Sequence, residues 1–167
     1  MEIPGRRKKD GPSKTVMELF LYFLLYREEA FLCENVMEML HVSERTLFRY
    51  VSDIREIFSE SEIHHSGREG RSEFCTEGLI DSVELSIFPR GSHLNHLTRL
   101  IRLSQLLEEK EPWFFEEEDD DDDEPVAAAH YKELAEKARM RKYTLRTMQR
   151  DLREIKEASG LYDGYSS

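Results

Sequence analysis

The sequence predicts a mainly helical protein with a small β-wing, organised as tandem winged helix-turn-helix modules. Apolar residues recur at helical spacing along most of the chain, one glycine-punctuated stretch is strand-like, and one helix pattern occurs twice. The 167 residues suffice for one domain or two small ones. We expect a flexible basic arm over residues 1–13, a first module over 14–92 and a second over 93–167.

The first module is predicted to contain three helices followed by strands. A helix over residues 14–27 is apolar on nearly all sides, so we expect it at the centre of the core. A second helix over 34–40 ends in a short turn. Ser43 is a suitable N-cap for a third helix that reaches Phe58. Glycines then separate three strand-like segments, residues 63–65, 72–76 and 83–88.

The second module is predicted to be helical around an acidic linker. A leucine-rich helix covers residues 93–109, and the linker covers 116–125. Two further helices are expected over residues 131–138 and 144–159. After Gly160 only seven residues remain, and we expect them to be frayed.

An internal repeat relates the two modules. Residues 45–56 align without a gap with residues 146–157, at an offset of 101, with five identical and four chemically similar positions. At 100° per residue, each copy has an apolar stripe, formed by Leu47, Val51 and Ile54 and by Met148, Leu152 and Ile155. The opposite faces carry Arg45, Arg49, Ser52 and Glu56 in the first copy and Arg146, Arg150, Arg153 and Glu157 in the second.

A helix with arginines near its N-terminus, opposite an apolar stripe, suits the DNA major groove. Arginine pairs with guanine edges or phosphates there, and threonine, serine and glutamine bond to either. The predicted DNA-contacting residues are therefore Arg45, Thr46, Arg49 and Ser52 in the first copy and Lys142, Arg146, Thr147, Gln149, Arg150 and Arg153 in the second.

Residues 36–51 resemble the DeoR-type winged helix-turn-helix at the start of WYL-domain bacterial transcriptional regulators. That family's pattern is roughly LAxxLxVSxRTVxRDL, and residues 134–136 and 147–152 match it more loosely. The resemblance implies a DNA-binding winged helix whose third helix reads the major groove and whose β-wing touches the DNA backbone.

The chain departs from the family pattern in three respects. His41 stands where the family usually has a turn glycine. Tyr50 replaces the aspartate of the motif, which the second copy keeps as Asp151. We also expect no WYL ligand-sensing domain in this chain.

The net charge of -11, with a pI near 5.1, argues at first against a nucleic-acid partner. However, the nine consecutive acids at residues 116–124 account for nine of the eleven excess negative charges. Residues 130–157 instead hold nine basic and five acidic side chains. The acidic run is interpreted as a solvated linker, with a DNA-mimicking shield of the second module and a docking site for a protein partner as alternatives.

Several histidines suggest a metal site, but their placement predicts none. His64 and His65 are adjacent in a strand, where neighbouring side chains point to opposite faces, and Cys75, His93 and His96 lie far along the chain. We therefore expect no metal and no cofactor. Nor does the sequence contain a phosphate-binding loop or nucleophile motif, so an enzyme is not expected.

Two cysteines are too few for a disulfide framework in a chain of this size, which fits the cytoplasm. The apolar run at residues 16–26 is too short to span a bilayer, so no membrane partner is expected.

The predicted function is that of a DNA-binding transcriptional regulator, with double-stranded DNA as partner and a homodimer as the candidate assembly. The main alternative is a protein–protein interaction module of tandem winged-helix type, like the small, acidic, doubled subunit of bacterial condensin complexes. A third interpretation is a degenerate regulator that has lost its sensor domain.

Overall fold

The computed structural model describes residues 11–58, 63–68, 71–76, 92–110, 115 and 145–166. This part of the chain is mainly helical with a small three-stranded antiparallel sheet, as the sequence predicts. The first ten residues of the predicted arm, the predicted strand at 83–88, the acidic linker and the helix expected at 131–138 lie outside the described residues.

The central helix, α1 (Lys14–Phe23), continues into a π-helical turn (Leu24–Glu28). The Ser13 hydroxyl caps α1 by accepting a hydrogen bond from the Val16 amide at 3.2 Å. Eight of the ten residues of α1 are buried, so its neighbours surround it, as the largely apolar sequence predicts. Glu29 closes the π-helical turn in a left-handed conformation with a φ of 66°.

The next two helices are α2 (Cys33–Leu40) and α3 (Glu44–Ile57), joined by a tight turn. His41 ends α2 in the left-handed region with a φ of 60°, and the following Val42 amide donates to the Met37 carbonyl at 3.2 Å. A residue with a Cβ pays about 1–2 kcal/mol in this conformation. This turn is therefore made by a histidine, although glycine adopts the left-handed conformation more readily.

The sheet consists of β1 (Ala30–Leu32), β2 (Ile63–Arg68) and β3 (Arg71–Thr76), in the order β1-β3-β2. Its register pairs Phe31 with Phe74 and, at the end of the hairpin, Arg68 with Arg71. The sequence predicts β2 and β3 but not β1, because three residues are too few to show an alternating pattern.

Contacts on both sides fix the β2–β3 hairpin against the helices. Arg55 of α3 donates two hydrogen bonds to the Ile63 carbonyl, at 2.7 and 3.2 Å. The buried Phe74 ring packs edge-on against Phe48 of α3, with ring centroids 5.0 Å apart. The Ser72 hydroxyl donates to the buried Cys33 Sγ of α2 at 3.4 Å.

The second half of the chain contributes α4 (His93–Lys110) and α5 (Leu145–Ser166). The Ser92 hydroxyl caps α4 by accepting from the Asn95 amide at 3.1 Å. The prediction of a frayed end after Gly160 is wrong, because α5 continues to Ser166. There the Tyr165 ring packs edge-on against Phe20 of α1, with ring centroids 6.0 Å apart, which gives the last turn a partner in the core. No described helix combines the length and the apolarity that crossing a bilayer requires.

A single hydrophobic core joins the two halves of the described chain. Buried side chains of all five described helices belong to it, and α1 packs against both α4 and α5. The two halves therefore share α1 as a common centre. The division of the chain into modules at residues 92 and 93 stays a prediction.

Candidate nucleic-acid interface

Helix α3 presents the two faces that the repeat predicts. The inner stripe is completely buried: Leu47, Val51 and Ile54. Arg45, Arg49 and Ser52 are exposed on the opposite side. The predicted contact residues of the first copy thus share one exposed face, with Thr46 half-buried at its start.

The N-terminus of α3 is fixed by the predicted cap. Ser43 Oγ accepts from the Thr46 amide at 3.1 Å, and the Ser43 hydroxyl donates to Thr46 Oγ1 at the same distance. Because its hydroxyl already accepts this hydrogen bond, Thr46 contributes to the helix start as well as to the candidate face.

Helix α5 repeats the arrangement of α3. Its inner stripe is buried: Met148, Leu152 and Ile155. Arg146, Arg150 and Arg153 are exposed. Thr147 and Gln149 are half-buried and already interact within the protein. The remaining predicted contact residue of this copy, Lys142, lies outside the described residues.

Exposed arginines on these two faces have no ion-pair or hydrogen-bond partner among the described residues. They are Arg45, Arg49, Arg146, Arg150 and Arg153. In contrast, Arg27 pairs with Glu108 at 3.3 Å, Arg55 binds the Ile63 carbonyl, and Arg99 binds Asp151. Within the part of the chain that the structure describes, the arginines of the repeat faces are thus unpaired, whereas these three hold the fold together.

The first two turns of α4 contact α5 through a closed polar network. Arg99 donates to both carboxylate oxygens of Asp151, at 2.8 and 2.9 Å, in a bidentate ion pair. Arg99 also donates to His96 Nδ1 at 2.8 Å. Since Nδ1 accepts, the proton of a neutral His96 lies on Nε2, which donates to Glu154 Oε1 at 3.1 Å. Each side chain of this network is therefore paired.

One turn earlier, α4 contacts α1 and α3 through a second cluster. His93 Nε2 is hydrogen-bonded to Glu18 Oε1 of α1 and lies 3.9 Å from Asp53 Oδ2 of α3. Lys14 Nζ approaches the same Asp53 oxygen at 3.6 Å. Asp53 and Glu154 occupy equivalent positions of the repeat, so each copy places one acid beside a histidine of α4.

Glu18 is the unusual member of this cluster, because its side chain has no exposed surface. Burial, followed by the adjacent Asp53, raises the pKa of Glu18 to about 9. Burial, followed by Lys14, lowers the pKa of His93. Both shifts favour the neutral forms of Glu18 and His93. The second carboxyl oxygen, Oε2, is buried with no hydrogen-bond partner.

Sequence reasoning grouped the histidines differently from the structure. Among the described residues, no cluster of metal-ligand type includes His64, His65 or Cys75. His93 and His96 belong to two separate clusters, and their carboxylate partners were missed. The available signal was Glu18, an acid inside an otherwise apolar helix.

Comparison with protein-family models, with curated proteins and with solved structures finds no match to this chain. The functional proposals below therefore depend on the residues and contacts described above.

Proposed function

We propose that this protein is a DNA-binding transcriptional regulator in which α3 and α5 act as recognition helices of two helix-turn-helix units. The β2–β3 hairpin after α3 would serve as the wing of the first unit. The observation that carries the proposal is the set of exposed arginines, repeated on α3 and α5, that have no partner among the described residues. A guanidinium without an intramolecular partner is free to bind phosphates or guanine edges.

The order of elements supports this proposal for the first unit. A capped α3 follows α2 after a tight turn, and an antiparallel hairpin follows α3. Winged DNA-binding proteins use such a helix in the major groove, with its N-terminal residues at the base edges. Arg45 and Arg49 lie in the first two turns of α3, where this geometry requires them.

The position of α4 supports joint use of the two helices. Arg49 lies one helical turn before Asp53, and Arg150 lies one turn before Glu154. Those two acids both lie beside histidines in the first two turns of α4. We propose that the two arginines contact one continuous duplex.

Fluorescence anisotropy with labelled duplexes from a genomic pull-down tests the proposal. We expect Arg49→Ala and Arg150→Ala each to weaken binding by roughly tenfold, and the double variant by more. For a phosphate contact, each substitution should also reduce the slope of log K against log salt by about 1. Immeasurable affinity of the wild type at low salt, or an unchanged affinity of the double variant, would overturn the proposal.

Two controls separate specific contacts from net charge. Arg55→Gln removes one positive charge from the same helix, but this side chain is occupied by the wing carbonyl of Ile63, so we expect a smaller loss of affinity. Arg49→Lys keeps the charge but not the guanidinium fork. Retained affinity in Arg49→Lys would indicate a phosphate contact, and lost affinity a bidentate base contact.

The alternative, a protein-interaction module, makes the opposite prediction for the same variants. A stable, folded protein that binds no duplex at low salt would favour a protein partner over DNA. The same variants would then serve in partner-capture experiments, with Arg49 and Arg150 as the first residues to test.

A further inference from the structure

We propose that Glu18, Asp53 and His93 form a binding site for a divalent transition-metal ion. One ligand atom of each residue lies within 4.8 Å of the others, so a single ion could contact all three. The ligands come from α1, α3 and α4, and they are far apart along the chain. The proposal does not depend on DNA binding.

The second observation that points to a ligand is the orphaned oxygen of Glu18. This side chain has no exposed surface, and its Oε2 has no hydrogen-bond partner. A buried carboxyl oxygen without a partner is unfavourable, because it has lost its hydration without any replacement. A metal ion that binds both carboxyl oxygens of Glu18 would satisfy it.

The donor set selects the class of metal. One imidazole nitrogen with two carboxylates, formed once the ion has displaced the proton of Glu18 into solvent, suits ions such as Zn²⁺ or Mn²⁺, which bind mixed nitrogen and oxygen ligands. Mg²⁺ prefers oxygen ligands and gives up its water reluctantly, so it should bind more weakly. Water would complete the coordination shell on the solvent side, where Asp53 and His93 are partly exposed.

Lys14 is the competitor for this site. Its ammonium group lies 3.6 Å from Asp53 Oδ2 and neutralises the carboxylate that the ion needs. The side chain of Lys14 is 51% exposed, so it can move into solvent when an ion binds. Removing this charge should therefore tighten metal binding.

The neighbouring cluster of His96, Asp151 and Glu154 supplies a control within the same protein. It has the same donor types within the same distance. However, the Arg99 guanidinium already occupies both Asp151 oxygens and His96 Nδ1. The guanidinium of Arg99 therefore takes the place of a metal ion in this cluster, and we expect no metal to bind there.

Calorimetric titration of the full chain with ZnCl₂, after removal of metal by EDTA, tests the site. We expect one tight site per chain, and a rise in Tm upon saturation. His93→Gln and Glu18→Gln should each weaken it by at least about tenfold, whereas His96→Gln should leave it unchanged. Lys14→Met should bind Zn²⁺ more tightly than the wild type, and MgCl₂ should bind more weakly.

The acidic run at residues 116–124 could bind Zn²⁺ weakly, so the variants must separate the two processes. Binding by the acidic run would persist in His93→Gln and would not raise the Tm. Circular dichroism of each variant checks its fold, and Co²⁺ titration of the wild type gives an independent absorption signal, because the visible d–d bands of the ion depend on its ligands. The proposal is overturned if the wild type has no tight site, or if His93→Gln and His96→Gln reduce the affinity equally.

Discussion

Helices α3 and α5 carry the same sequence pattern, yet they are attached to α4 in different ways. α5 is held by a closed network in which Arg99 binds Asp151 and His96, and His96 binds Glu154. α3 meets α4 through His93 and Asp53, beside a buried Glu18 with an unpartnered oxygen. The contact between α4 and α5 therefore pairs every polar side chain in it, whereas the contact between α4 and α3 leaves one buried carboxyl oxygen without a hydrogen bond.

The difference originates at a position where the repeat is not conservative. Tyr50 of α3 corresponds to Asp151 of α5. Tyr50 is buried beside Glu18, and burial, followed by that acid, raises its pKa. Asp151 is fully buried and forms an ion pair with Arg99. The difference between Tyr50 and Asp151 at this position of the repeat therefore determines whether the helix forms an ion pair with an arginine of α4.

Breaking the closed network should have the largest effect on stability. Asp151→Ala leaves the Arg99 guanidinium without its buried partner, and we expect the free energy of unfolding to fall by about 3–5 kcal/mol. Urea denaturation measures this change. Asp163→Ala, an exposed aspartate of the same helix, is the control and should change stability by less than about 0.5 kcal/mol. Equal losses in the two variants would show that the network does not hold α5.

Making the first copy resemble the second should also destabilise the protein. Tyr50→Asp removes a buried ring and places a carboxyl group near Glu18, so we expect a loss of about 3 kcal/mol. Tyr50→Phe keeps the ring and should cost less than about 1 kcal/mol. If thermal denaturation ranks the two variants in the opposite order, Tyr50 is not a packing residue.

Removing the cap of α3 should have a moderate effect. Ser43→Ala deprives the Thr46 amide of its acceptor, and the expected cost is about 1 kcal/mol. Ser52→Ala, on the exposed face of the same helix, should leave stability nearly unchanged. Chemical denaturation of both variants distinguishes the cap from a general loss of serine, and comparable costs would contradict the capping role.

Removing Asp53 from its contact with His93 and Lys14 should have the smallest effect on the stability of the metal-free protein. Asp53→Ala removes a carboxylate that is 27% exposed and whose lysine partner is 51% exposed, so solvent screening limits the loss to less than about 1 kcal/mol. Denaturation in the presence of EDTA measures it. A loss approaching that of Asp151→Ala would remove the distinction between the two copies.

The sequence predicted those parts of the fold that depend on periodicity. The buried stripes of α3 and α5, the Ser43 cap and the strands β2 and β3 are confirmed by burial and hydrogen bonds. Each is a local feature, since it depends on residues a few positions apart. β1 was missed because its order comes from pairing with β3, about forty residues later in the chain.

The candidate sites were predictable only in part, for the same reason. Exposed arginines follow from helix geometry, and so they were identified from the sequence. The pairing of Arg99 with Asp151 and of His93 with Glu18 depends on how α4 packs against three other helices. No spacing in the chain encodes those contacts, and the well-packed last turns of α5 were missed because their partners, such as Phe20 and Glu28, lie more than a hundred residues earlier in the chain.

Because Ser72 of β3 is hydrogen-bonded to the buried thiol of Cys33, the reaction rate of this thiol can report motion of the β2–β3 hairpin. Cys33 Sγ is buried behind β3, and burial raises its pKa, so it should react with a thiol reagent only while that strand is displaced. The labelling rate of Cys33, compared with that of the half-buried Cys75, therefore reports how often the hairpin opens in the native protein. If a bound DNA duplex holds the β2–β3 hairpin in place, the labelling rate of Cys33 should fall although the DNA does not contact the thiol.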